Sequence, residues 1–173
     1  MRDPSFTKAV QIGIVVRDLG AAMRRYVDEY GIGPWKIYEF IAKDLHEYGQ
    51  PVKRSWRLAV AMVGQLQWEL IEPLDEDSIY ARFLAEKGGG VHHIAVAAQS
   101  FDEMLAAEAK RGVEVVLSGE FEGVKVAYLG TDRDLGVILE IFSGMPNLEQ
   151  KRESMTHVGT SPSRSKQTPN AIH

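Results

Sequence analysis

Gln11-Ile12-Gly13-Ile14-Val15-Val16 and His93-Ile94-Ala95-Val96-Ala97-Ala98 open the two halves of this chain in the same way, and reading them as copies decides the fold. Each is an apolar run with the alternation of a strand. Each leads into a helical pattern, 19–30 after the first and 101–111 after the second. Gln11 and His93 therefore occupy equivalent positions. Each copy later closes on an apolar strand broken by one glutamate, Glu69 in Gln67-Trp68-Glu69-Leu70-Ile71 and Glu140 in Ile138-Leu139-Glu140-Ile141-Phe142. Four side chains able to bind a metal thus sit at two matched pairs of places.

The elements between these landmarks follow one order. Asp18 caps a helix whose apolar stripe is Leu19, Ala22, Met23, Tyr26 and Tyr30. Gly31-Ile32-Gly33-Pro34 ends it and a strand is expected over 35–40. The polar segment 41–52, with His46, Gly49 and Pro51, reads as a loop. A hairpin over 57–63 and 66–71 turns at Gly64-Gln65. Asp77 or Ser78 caps a short helix through Ala85, and Gly88-Gly89-Gly90 ends it as a linker. In the second copy Ser100 and Glu103 form a capping box, followed by strands over 113–117, 124–129 and 137–142. The expected fold class is α+β, with βαβββ occurring twice in tandem. The expected organisation is a first module over 6–74, a short helix and glycine linker over 75–90, a second module over 91–144, and a flexible C-terminal tail over 145–173. The tail is rich in Ser, Thr, Lys, Arg and Pro and buries too little apolar surface to offset its ordering entropy. The span from Gln11 to Glu69 exceeds that from His93 to Glu140 by about the length of the segment 41–52, so the expected loop accounts for the mismatch.

Strand parity gives the candidates a direction. Successive side chains alternate between faces, so Gln11 shares a face with Gly13, and His93 with Ala95 and Ala97. The large Ile12, Ile14, Ile94 and Val96 take the other face, where helices pack. Glu69 lies with Gln65 and Gln67. Glu140 is flanked by apolar residues on both faces, an expensive place for a carboxylate that is neither paired nor bound to a metal. Of the adjacent His92 and His93, parity admits one to the cleft, and His92 is expected to pack elsewhere.

Composition excludes several classes. The 173 residues carry a formal net charge of −4, which gives no reason to expect nucleic acid. There is no cysteine, so disulfides, thiolate zinc sites and cysteine nucleophiles are ruled out. No apolar run reaches the roughly 20 residues of a membrane span, and Met1-Arg2-Asp3-Pro4 has no apolar signal core. The expectation is a soluble, cytoplasmic protein. Gly31-Ile32-Gly33-Pro34-Trp35 is a turn and not a phosphate loop. Asp75-Glu76-Asp77 reads as a solvated helix start, and His46, His157 and His173 as solvated loop and tail residues.

The paired plan resembles the vicinal oxygen chelate superfamily, which includes glyoxalase I, methylmalonyl-CoA epimerase, extradiol dioxygenases and bleomycin or fosfomycin resistance proteins. The most specific stretches are Gly90-Val91-His92-His93-Ile94-Ala95, Glu69-Leu70-Ile71-Glu72-Pro73-Leu74 and Gly136-Val137-Ile138-Leu139-Glu140-Ile141, which look most like the epimerase branch. The resemblance implies that the two modules curl into a barrel-like metal-binding cleft. Carried over position by position, it implies Gln11, Glu69, His93 and Glu140 as ligands of one divalent metal. Three oxygen ligands and one nitrogen admit Zn, Co, Mn or Ni. Extradiol dioxygenases of this superfamily use two His and one Glu, so Gln11 in the first position argues against oxygen activation. Bleomycin-binding members lack the ligands altogether. The set Gln, Glu, His, Glu is similar to that of some glyoxalase I enzymes.

The resemblance implies a metal-dependent epimerase, racemase or isomerase that removes a proton next to a carbonyl and passes through an enolate. Glu140 is the expected ligand and acid-base group, and Glu69 a ligand that completes the catalytic carboxylates. Trp35, Tyr38, Trp56 and Tyr128 are the candidates for substrate contact. Two-base epimerases of the family also carry a glutamate on the strand preceding the hairpin turn. No carboxylate occurs between Trp56 and Val63, so the second acid is left open between water and another residue. The expected partner is a small carbonyl compound, with acyl-CoA thioesters among the candidates, and the expected assembly is a homodimer. The alternatives are a glyoxalase-type lyase and a protein that sequesters an aromatic or drug-like ligand in the same cleft.

Overall fold

The computed structural model describes residues 6–98, 100–121 and 123–144, and the expected tail lies outside the described residues. Eight strands form one closed barrel in the order β1-β4-β3-β2-β6-β7-β8-β5. The first half of the chain supplies β1 (Phe6–Val15), α1 (Leu19–Tyr30), β2 (Lys36–Glu47), β3 (Gln50–Val63) and β4 (Leu66–Pro73). After α2 (Ile79–Lys87) come β5 (Gly90–Ala98), α3 (Phe101–Lys110), β6 (Val115–Phe121), β7 (Val124–Leu129), the short α4 (Asp132–Leu135) and β8 (Ile138–Phe142). The fold is α+β and matches the vicinal oxygen chelate plan.

Capping chemistry sets the helix ends. Asp18 accepts a hydrogen bond from the Ala21 amide at 2.8 Å, and Gly31 closes α1 in the left-handed region. Ser78 caps α2 through the Ala81 amide at 3.2 Å. Ser100 stands at the start of α3 without a side-chain cap bond, so the expected capping box is replaced by a backbone bond from Met104 to Ser100.

In each half the first strand runs parallel to the last, β1 beside β4 and β5 beside β8. The halves meet where β1 pairs antiparallel with β5, and again where β2 pairs antiparallel with β6. Parity sorts the barrel wall into two faces. Ile12, Ile14, Trp68 and Leu70 pack outward beneath Leu19, Met23 and Tyr26 of α1. Ile94, Val96, Leu139 and Ile141 do the same beneath Met104 and Leu105 of α3. The inner face carries the largest cluster, including Val15, Trp56, Ile71, Ala95, Tyr128 and Phe142.

The segment 41–52 is not a loop. β2 continues to Glu47, turns at Tyr48 and Gly49, and β3 begins at Gln50. Both turn residues have positive φ, 51° and 73°, the backbone of a two-residue hairpin turn. Ala42, Leu45 and Glu47 are buried here. His46, Gly49 and Pro51, which suggested a loop, are exposed. The extension has a structural task, because Leu45, His46 and Glu47 pair with Gly119, Ser118 and Leu117 of β6 and close the barrel.

Candidate metal centre and active site

The strand register assembles the candidates in two adjacent rows of the inner wall. One row runs Ile138, His93, Gly13, Glu69 across β8, β5, β1 and β4. The next runs Glu140, Ala95, Gln11, Gln67 across the same strands. All four candidates are buried: Gln11 at 5% exposure, Glu69 at 9%, His93 at 0% and Glu140 at 4%. Nε2 of His93 lies 3.1 Å from Oε2 of Glu140 and 3.5 Å from Oε2 of Glu69.

Small residues opposite the large ones make this possible. His93 stands across from Gly13, and a Cβ added at Gly13 would fall inside the imidazole. Gln11, a narrower side chain, stands across from Ala95. Gln11 Nε2 donates to Gln67 Oε1 at 2.7 Å, which fixes the amide and leaves its carbonyl oxygen free. Among the described residues, Gln11 Oε1, His93 Nε2 and Glu140 Oε2 are buried with no hydrogen-bond partner. The His93 and Glu140 atoms are thus close as charges without forming a directed bond. Each orphaned group costs about 1–3 kcal/mol. Together the four side chains offer two carboxylates, a ring nitrogen and an amide oxygen, a donor set that fits a divalent ion. Among the described residues no three His, Asp or Glu form a ready-made cage.

The electrostatics follow from this crowding. Burial works against a charged His93, but Glu140 and Glu69 outweigh it and hold the imidazole at about 9. Burial pushes the Glu140 carboxyl up, opposed by the His93 charge. His92 is pushed down to about 3 by burial and by His93.

His92 departs from the parity expectation. The pairs Gly13 with His93 and Ile14 with Val91 advance one residue on β1 and two on β5, so His92 is the extra residue of a bulge. The bulge turns it inward, where its ring meets Tyr80 at 5.1 Å, Phe83 at 5.0 Å and Tyr128 at 5.9 Å. Its Nδ1 lies 3.2 Å from Nδ1 of His93, so one imidazole N–H lies between them and ties the His93 ring in place.

Of the aromatic candidates, Tyr128 lies with its ring centroid 4.8 Å from that of His93, the two rings tilted at 42°. Trp56 lies deeper in the interior, against Phe40, Phe121 and Tyr80. Tyr38 packs at the margin of the same cluster. Trp35 does not reach it. It lies on the outer face with Tyr26 and bonds the Ile32 carbonyl, so it braces α1 instead of lining the cleft.

Sequence reasoning missed two groups. Tyr80 reaches the interior from α2, and its hydroxyl lies 2.8 Å from that of Tyr128. Glu47, at the end of β2, is buried and bound by Arg54 at 2.9 and 3.2 Å and by Arg82 at 3.2 Å. The reading of 41–52 as a loop hid the second. Asp75, expected to be solvated, instead accepts from the Ser55 amide and hydroxyl.

Residues 10–128 match the profile of the Glyoxalase/Bleomycin resistance protein/Dioxygenase superfamily. The chain belongs to that superfamily. Within it, the chain is 33% identical over 87 residues to the uncharacterized protein YqjC of Bacillus subtilis, a match spanning 49% of this chain and 62% of that relative's length. Among solved structures of the same fold, methylmalonyl-CoA epimerase of Streptomyces coelicolor, in complex with 2-nitronate-propionyl-CoA, is similar with a TM-score of 0.62 and 26% identity. That similarity covers 80% of this chain and 94% of the other. The methylmalonyl-CoA epimerase of Mycobacterium tuberculosis is similar with a TM-score of 0.63 and 25% identity, covering 87% and 97%. No helix among the described residues is long and apolar enough to cross a membrane.

Proposed function

We propose that this protein is a metal-dependent isomerase of the epimerase type, which removes a proton next to a carbonyl and returns it through an enolate. The observation that carries the reading is the convergence of Gln11, Glu69, His93 and Glu140 on one interior, three of them with unpartnered polar atoms. Gln11, Glu69, His93 and Glu140 would hold a divalent ion, zinc, cobalt, manganese or nickel. When bound, such an ion supplies polarisation of the carbonyl. The similarity to methylmalonyl-CoA epimerases supports an acyl thioester as the carbonyl compound.

The chain's own residues supply the proton chemistry. Glu140 is the acid-base group, a carboxylate buried in the interior wall beside His93 whose Oε2 has no hydrogen-bond partner among the described residues. Glu69, whose Oε2 lies 3.5 Å from the same Nε2 of His93, brings a second carboxylate from the first half of the chain. The aromatic interior of Trp56, Phe40, Phe121 and Tyr128 keeps water from the carbanion.

The test combines elemental analysis of gently purified protein with a screen for solvent-deuterium exchange into acyl thioesters and other carbonyl compounds. Glu140→Gln should keep its metal and lose about 10² to 10⁴ in exchange rate, since Gln retains a ligand oxygen but accepts no proton at neutral pH. Glu69→Gln should be rescued in part by excess metal. Near-normal exchange by Glu140→Gln under metal saturation would remove it as the base. Protein with neither metal nor exchange would point to a sequestering role.

A further inference from the structure

The buried hydroxyls of Tyr80 and Tyr128 take no part in the proton transfer described above. They come from different parts of the chain, α2 and β7, and meet at 2.8 Å inside the barrel. Both residues are almost fully buried, at 5% and 4% exposure. Tyr128 lies against the His93 ring, and Tyr80 bridges His92 at 5.1 Å and Trp56 at 5.9 Å. A phenol carries one O–H proton, so the pair holds two and its mutual bond uses one. Among the described residues neither hydroxyl has a further hydrogen-bond partner, which leaves one O–H proton of the pair unclaimed. Phenylalanine would fill the same volume without stranding a donor.

We propose that the Tyr80–Tyr128 pair donates this proton as a hydrogen bond to the substrate oxygen on which charge builds, which makes both residues part of the substrate site. The inference rests on the reading of the interior as a site of proton abstraction next to a carbonyl. In the step, the substrate C–H bond breaks, an O–H bond forms on Glu140, and the electron pair moves onto the carbonyl oxygen. The tyrosines keep their protons throughout; return of a proton from Glu140 to the same face gives exchange, and delivery from water or another residue to the opposite face gives epimerisation, Glu140 then releasing its proton to solvent. A donor aimed at a developing oxyanion acts most strongly in the transition state. The substrate it selects is a carbonyl compound that presents that oxygen toward β7 while its acidic C–H faces Glu140.

The experiment compares Tyr80→Phe, Tyr128→Phe, the double variant and Glu140→Gln, all saturated with metal. Three quantities are measured: solvent-deuterium exchange into propionyl-CoA, melting temperature, and affinity for 2-nitronate-propionyl-CoA, an anionic enolate mimic, against neutral propionyl-CoA. The double variant should melt close to the parent, because removing both hydroxyls leaves neither stranded. It should lose about 10² to 10³ in kcat with little change in KM, and lose nitronate affinity while keeping propionyl-CoA affinity. A purely structural pair gives the reverse order. Each single variant, with one stranded hydroxyl, melts below the double on either reading, but if the singles also lost more exchange than the double the proposal would be overturned. Loss of exchange in Glu140→Gln with full exchange in the double variant would defeat the donor role alone. Full exchange in Glu140→Gln would defeat the proton-abstraction reading and the donor role with it, and a parent that neither binds nor exchanges propionyl-CoA would defeat the donor role for acyl thioesters.

Discussion

The two halves of this barrel meet at two seams, and the seams divide the labour. At the first, β1 runs beside β5, with bulges along its length, and carries Gln11 and His93 from opposite strands. At the second, β2 and β6 share the three pairs Leu45 with Gly119, His46 with Ser118 and Glu47 with Leu117. Both use the same device. A glycine on one strand admits a large side chain from the other, Gly13 beneath His93 and Gly119 beneath Leu45. At the first seam the admitted side chain is polar and fully buried. At the second it is a leucine that fills the core. The difference teaches that the proposed site belongs to the junction of the halves, whereas the opposite junction closes the sheet around it.

The strongest way to break this comparison is Gly13→Ala. The new methyl group would occupy the position of the His93 imidazole, and the site offers the ring no other place on that row. Overpacking of a tight core costs about 1–3 kcal/mol, and the upper end is expected because the clash is with a buried ring. Metal content should fall to background together with exchange activity. Equilibrium denaturation and elemental analysis read the two effects separately. In the double variant Gly13→Ala with His93→Ala, stability should recover relative to the sum of the single changes, while metal binding should not. Additive losses would show that Gly13 and His93 do not depend on one another.

The strands of the first seam were legible in the sequence, though not their pairing, and the end of β2 that makes the second was not. β1 and β5 announce themselves by alternation, and α1 and β7 have the expected bounds because caps and period agree there. Parity also set Gln11 with Gly13 and His93 with Ala95 on the helix-free faces, since parity is a property of each strand alone, whereas only the resemblance joined Glu69 and Glu140 to them. The end of β2 is different. Its polar residues, Gly49 and Pro51 carry loop signals, and only pairing with a distant strand makes it a barrel wall. His92 fails for a related reason, because a bulge depends on the register with β1 and not on β5 itself. Trp35 was misjudged because it precedes β2, where strand alternation no longer applies. Tyr80 was missed because α2 reads as a linker, with no sign that it caps the interior.

A second, smaller test addresses the clamp beside the closing seam. Glu47 ties the end of β2 to Arg54 of β3 and Arg82 of α2. Removing one member of a fully buried ion pair costs about 3–5 kcal/mol. Here the arginine side chains are 14% and 43% exposed, so water relieves part of the loss. Glu47→Gln should therefore lower stability by about 2 kcal/mol and leave metal content unchanged. A loss of metal from this variant would show that the two seams are not independent.

The mildest change, Gly119→Ala, is the direct counterpart of Gly13→Ala. A Cβ at Gly119 would stand 2.9 Å from Cδ1 of Leu45 and 3.1 Å from the Asp44 carbonyl oxygen. The first contact is with the far end of a flexible side chain, which can turn aside within the core. The second is with backbone and can yield only by a small shift of β2. The expected cost is about 1 kcal/mol, with metal content and exchange both intact. Equal destabilisation by the two glycine substitutions would mean that His93 is held no more tightly than Leu45. A smaller loss at Gly119, with the metal retained, is the result expected if the first seam alone is shaped around a catalytic side chain.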